Sequence, residues 1–216
     1  MYLCIRKPIF KTLNSCDMKK TLLILAAISL TFLTAKSQAP GDVFGKGSSA
    51  INLGIGIGNT VYTGAFYKIG FPTISASYEL GIVEVPMGSS FKGVVSAGGL
   101  VGFGGSKYDY SYFLSGYGYS VRTTYFIVAA RGNYHFIFHD QFDPYAGILL
   151  GYYFGSHKVD YDAGYAANLP RYSGKTGGFH GGAYVGARWF FTPAFAAFAE
   201  LGWNVSIFTI GATLKF

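Results

Sequence analysis

Histidine is the side chain best suited to proton transfer near neutral pH, and this 216-residue chain has four: His135, His139, His157 and His180. A hydrolytic centre built on one of them needs a serine within reach and an acid to orient the ring. None has a serine two positions on, the spacing that would set both side chains on one face of a strand. Ser156 directly precedes His157, so those two point to opposite faces of any strand. His180 is expected near Asp160 or Asp162 at one mouth of a ring of strands. His157, Asp160 and Asp162 also have the spacing of a loose metal loop, but such groups in a polar loop are usually just solvated. No catalytic residue, metal or cofactor is expected.

Glycine and charge offer two further chemistries. Gly54, Gly56 and Gly58 suggest a phosphate-cradling loop, but that fingerprint turns from strand into helix after its first glycine. Here Ile51, Leu53, Ile55 and Ile57 keep alternating straight through. More telling are Glu79, Arg131, Arg188, Glu200 and Lys215. They are the charges set well inside apolar, alternating segments, and each falls on the face opposite the large apolar residues. Such groups pair when buried. A short connection suggests Arg188 with Glu200, and Glu79 with Arg131 across an interior. The third feature is Lys107–Tyr119, which holds Tyr108, Tyr110, Tyr112, Tyr117 and Tyr119 among Gly and Ser. Rigid amphipathic tyrosines of this kind suit a strand end with aromatics at a membrane interface, and alternatively a binding loop.

The elements that position these residues read as strands with a period of two. They are expected at about 49–58, 73–83, 91–103, 124–136, 145–155, 179–190, 195–205 and 208–216. The last has Phe208, Ile210, Ala212, Leu214 and Phe216 on one face and Thr209, Gly211, Thr213 and Lys215 on the other. The prolines avoid the expected strand interiors, as a ladder needing every N–H requires. Connections near 84–90, 137–143 and 191–194 are short. Those near 59–71, 104–122 and 156–178 are long, with a tight link near 206. Trp189 and Trp203 fall near opposite ends of an apolar band, as two interfacial aromatic girdles would.

The start of the chain has a different character. Met18-Lys19-Lys20 and the apolar run from Leu22 to Leu33 read as a secretory signal over 18–37. Cleavage after Ser37 is preferred, because cleavage after Ala39 would leave Pro40 first. Residues 1–17 read as an extension ahead of the true start, and 38–47 as a short N-terminal segment. Both cysteines, Cys4 and Cys16, lie in 1–17, so the mature chain is expected to have no thiol chemistry. Six of the 17 basic residues lie before residue 40, so the formal charge of +7 belongs largely to targeting. It marks no nucleic-acid surface.

Hydrophobic residues make up 50% of the chain and charged residues only 12%. A soluble barrel, apolar inside and polar outside, would need more charge than this to coat its surface. A lipid-facing barrel needs little, because a lipid-facing Arg or Lys at the midplane costs about 2–4 kcal/mol. The expected fold is therefore all-β: an eight-stranded antiparallel up-and-down transmembrane β-barrel over 48–216. At eight strands its lumen is just wide enough for side chains to fill.

The terminal segment Phe208–Phe216, the run Asp143-Pro144-Tyr145-Ala146-Gly147 and the run Phe198-Ala199-Glu200-Leu201-Gly202 resemble the OmpA-like and OmpX-like eight-stranded outer-membrane barrel family. That resemblance implies outer-membrane localisation in a Gram-negative envelope. It also makes Phe208, Ile210, Leu214 and Phe216 a signal for the barrel-assembly machinery. Residues 48–216 leave no length for a peptidoglycan-binding domain, so a bare barrel is expected. The expected role is structural, adhesive or accessory, through outer loops above a plugged lumen. The expected partners are outer-membrane lipids and lipopolysaccharide. An extracellular glycan or protein ligand, and membership of an envelope or secretion complex, are compatible with the sequence. A small passive pore is the first alternative and a lipid A-modifying barrel enzyme the second.

Overall fold

The structure, a computed structural model, describes residues 43–62, 67–87, 91–111, 118–161 and 172–216. Its strands are β1 (Ser49–Asn59), β2 (Tyr67–Met87), β3 (Phe91–Ser111), β4 (Gly118–Ile137), β5 (Phe142–Tyr161), β6 (Ser173–Phe190), β7 (Phe195–Gly202) and β8 (Ser206–Lys215). Each pairs antiparallel with the next, and β8 pairs back with β1, closing an up-and-down barrel. At the seam, the Ser49 N–H donates to the Phe216 carbonyl at 2.9 Å and the Phe216 N–H to the Ser49 carbonyl at 2.8 Å. Closure removes the free edges that a strand pattern of this apolarity could not leave exposed.

We term the end holding the start of β1 and the end of β8 the lower end. Alternation along each strand sorts side chains strictly. On β4, Tyr125, Ile127, Ala129, Arg131 and Asn133 are buried inside, while Phe126, Val128 and Phe136 are exposed outside. The outward apolar run on β4 spans residues 126–136. With strands tilted as in membrane barrels, that length gives a band of about 25 Å. Within the band Glu79, Arg131, Asp143, Arg188 and Glu200 all point inward, each at most 4% exposed.

The middle strands are longer than expected. β2, β3, β4 and β5 each run for 20 or 21 residues, against 8 to 11 for β1, β7 and β8. Much of the long connections expected at 59–71, 104–122 and 156–178 is therefore paired strand. Polar and tyrosine-rich composition hid this, because the ladder needs backbone groups rather than apolar side chains. Three prolines expected outside strands lie within them. Pro72 sits between the register shifts of β2 against β3, Pro86 opposite Lys92 beside the hairpin, and Pro144 near the start of β5. The result is a barrel with an oblique rim: β2 to β6 stand above the upper ends of β7, β8 and β1.

The lower mouth is covered by residues 43–48. The Gly47 N–H donates to the Gly81 carbonyl and the Gly81 N–H to the Ser48 carbonyl, at 2.8 and 2.9 Å. Gly47 adopts φ 84°, which glycine tolerates and other residues rarely do. The turn directs Phe44, fully buried, up into the barrel. Val43 packs with Phe190 and Ala196. Gly81 has to be small here, because a Cβ would run into the Gly45 carbonyl. Gly81→Val is expected to push this turn out and lower stability by about 1–3 kcal/mol. Urea unfolding of the refolded barrel checks this.

Candidate functional site: a filled lumen and a tyrosine-lined upper wall

The lumen is filled by two linked polar clusters. In the lower one, Arg188 on β6 forms an ion pair with Glu79 on β2 and donates from Nη1 to Asp143 Oδ2 at 3.2 Å. Its guanidinium lies 4.9 Å from the Tyr145 ring centroid and 5.5 Å from that of Phe44. Asn133 Nδ2 donates to Glu79 Oε2 at 2.5 Å. His135 stacks on Phe44, with ring centroids 4.4 Å apart. In the upper cluster, Arg131 Nη2 donates to Glu200 Oε1 at 2.5 Å, and Tyr145 Oη to the same oxygen at 2.9 Å. Asn204 Nδ2 donates to Glu200 Oε2 at 2.6 Å. Tyr184 Oη, donating to Asn133 Oδ1 at 2.5 Å, joins the two clusters.

These pairings differ from those expected, Arg188 with Glu200 and Glu79 with Arg131. Register explains the exchange. Arg188 lies directly opposite Phe198, and Glu200 opposite Gly186. The Tyr145 ring fills the space above Gly186, so Glu200 reaches across the lumen to Arg131 instead. Glu79 and Arg131 flank Gly98 in one row across β2, β3 and β4, yet each turns to a partner on the far wall. Lys215 belongs to neither cluster. It donates to the Val43 carbonyl at 2.9 Å and lies 5.3 Å from the Phe190 ring centroid, so it anchors the lower turn.

Sequence reasoning missed Asp143, which reads as a turn residue ahead of Pro144 but is fully buried. It also missed a relay. Ser96 Oγ lies 3.0 Å from His135 Nε2, and His135 Nδ1 lies 2.8 Å from Asp143 Oδ1. This is the order of a nucleophile, base and acid. Looking two positions along one strand could not find it, because Ser96 pairs with Asn133 and reaches His135 diagonally across β3 and β4. Ser96 is 1% exposed, His135 and Asp143 are fully buried, and Phe44 covers the imidazole. No acyl group reaches Ser96 in this arrangement.

The upper mouth is closed from the β1 end. Thr60 Oγ1 donates to the Asn204 carbonyl at 2.5 Å, and His180 Nε2 lies 2.8 Å from the same oxygen. His180 thus meets Asn204 and not Asp160, which lies outside the barrel with Arg122 at 3.4 Å. Asp162 lies outside the described residues. Tyr62 packs edge-on to Tyr153 and His157, with centroids 5.6 and 5.4 Å apart, and tilted to Tyr125 at 6.0 Å. Burial, with Tyr153 beside it, pushes the Tyr62 phenol up to about 12, so it stays a neutral hydroxyl.

On the upper wall, Tyr67, Tyr108, Tyr119 and Tyr161 come from four successive strands and line the inward face. Successive ring centroids are 5.3, 6.3 and 6.5 Å apart. Tyr110 is the backbone partner of Tyr119. Tyr112 and Tyr117 lie outside the described residues. The reverse face carries charge: Lys107 Nζ lies 2.8 Å from Asp109 and Lys68 Nζ 3.5 Å from it. The hydrogen bond from Lys107 holds the Asp109 carboxyl below its ordinary range. Trp189 is exposed at the lower rim and Trp203 in the β7–β8 link above. Phe208, Ile210 and Leu214 are exposed on the outer face of β8.

Neither protein-family models nor curated proteins match the chain. Solved structures do. The attachment invasion locus protein Ail of Yersinia pestis, crystallised with the heparin analogue sucrose octasulfate, is 12% identical, with a TM-score of 0.41 over 79% of this chain and 99% of Ail. The N-terminal β-barrel domain of Pseudomonas aeruginosa OprF is 14% identical, with a TM-score of 0.40 over 80% of this chain and 99% of that one.

Proposed function

We propose that this chain is an outer-membrane barrel with a structural or adhesive role, plugged through its lumen and exposing its upper wall outside the cell. Residues 18–37 are its signal segment, and the lower end is periplasmic. The observation that carries this is the sorting of charge: an uninterrupted apolar band outside, and five buried charges inside it that pair with one another. Water would not impose that arrangement, whereas lipid does. Trp189 and Trp203 serve as interfacial anchors, and Phe208, Ile210, Leu214 and Phe216 as the assembly signal. Membrane fractionation, followed by a gel of unboiled and boiled samples, tests the placement. A folded barrel changes mobility on boiling; unchanged mobility from gentle detergent would count against it.

The filling of the lumen favours a plug over the passive pore. Phe44 below, the two ion-pair clusters and Tyr62 above leave polar groups bonded to one another. Refolded residues 38–216 in a planar bilayer are expected to show no unitary conductance steps. Steps that change with Arg188→Ala would establish the pore instead. Against the lipid A-modifying reading, substitution of His157 and His180 is expected to leave lipid A unaltered by mass spectrometry.

A further inference from the structure

We propose that the inward face of the upper wall is a binding surface for uncharged glycans. The proposal rests on the outer-membrane reading, which puts this wall outside the cell. Its core is the tyrosine row across β2 to β5. Neighbouring strands lie about 4.8 Å apart, so one ring per strand sets four aromatic rings in succession along the wall, each tilted to the next. The π-face of an aromatic ring is electron-rich, and the flat side of a pyranose offers a sheet of weakly positive C–H groups to it. Phenol hydroxyls at the ring edges then meet sugar hydroxyls. A chain of saccharide units presents the repeating flat faces that such a row matches.

Charge decides which glycan. Among the described residues, the inward face at this height carries Ser106, Val121, Thr123, His157 and Val159 beside the tyrosines, and no Lys, Arg, Asp or Glu. The cations Lys68, Lys107 and Arg122 stand on the reverse face, near Asp109 and Asp160. A sulfated or otherwise polyanionic sugar would find no Lys or Arg among the described residues of the tyrosine side. The row's two best-exposed rings are Tyr67 at 41% and Tyr119 at 37%. Opposite them, β1 ends at Asn59 and β7 at Gly202, so among the described residues neither of these strands reaches the height of the row.

The test uses the mature protein in a zwitterionic, sugar-free detergent on an array of uncharged and sulfated oligosaccharides. Retention on uncharged sugars that survives high salt is expected. Tyr67→Ala and Tyr119→Ala should each weaken it about tenfold, while Tyr119→Phe, which keeps the ring, should retain most of it. Lys107→Gln should change nothing. Each variant first passes the unboiled-against-boiled mobility check, so a folding failure is not misread. Retention confined to sulfated sugars and abolished by salt, equal retention by the alanine variants, or retention of none of the uncharged sugars overturns the proposal. A barrel that fractionates with the outer membrane yet binds no uncharged sugar sinks the glycan assignment alone. Failure of fractionation sinks the localisation itself.

Discussion

Arg188→Ala is expected to be the most damaging single substitution in the lumen, lowering stability by about 3–5 kcal/mol. Arg188 is fully buried and bridges Glu79 and Asp143, both also fully buried. Without it, two buried carboxylates remain close together with no arginine between them. His135, bonded to Asp143, is then the one cation-forming group adjoining both acids. Urea titration of the refolded barrel by tryptophan fluorescence measures the loss. The diagnostic step is the double variant: Glu79→Gln added to Arg188→Ala removes one unpaired charge and should recover part of the stability. If Glu79→Gln instead adds its own cost in full, Glu79 and Arg188 are not energetically coupled and the pairing is wrong.

Leu150→Arg is expected to cost about 2–4 kcal/mol in a bilayer. Leu150 is 65% exposed on the outer face of β5, flanked by Ile148 and Tyr152 on the same face. On a soluble protein, such a substitution would be close to neutral and would improve solubility. The two outcomes therefore separate lipid from water as the medium around the band. Folding into vesicles of phosphatidylcholine, followed by urea titration, gives the number. A change near zero would remove the transmembrane placement, whatever the barrel's topology.

The strands that cross the band were legible because each of their residues faces one of two contrasting media. Ile51, Leu53, Ile55 and Ile57 against Asn52, Gly54 and Gly56 could be read directly, and so could the inward placement of Glu79, Arg131, Arg188 and Glu200. Above the band, both faces meet water or polar groups, so the contrast fades. The upper parts of β2 to β5 therefore looked like loops. Partner choice was harder still. Which charges meet depends on the stagger of eight strands and on which positions are glycine, as Gly186 shows. Ser96, His135 and Asp143 come from three strands, so no local spacing announces them. The lower turn at 43–48 was missed because its value lies in one residue, Phe44, whose role depends on a cavity that exists only after closure.

The oblique rim gives the molecule a heading. β7 and β8 meet in a tight link at 203–205, while β3 and β4 run on to Ser111 and Gly118. Among the described strands, the exposed concavity therefore opens sideways, across the barrel axis, and not straight up. With the barrel placed as proposed, a polymer lying flat on the cell's own surface can slide into it along its length. One arriving end-on from a distance meets the top edge of the wall first. On the proposed outer-membrane placement, the asymmetry of strand length favours contacts made within one cell's surface layer over contacts made between cells.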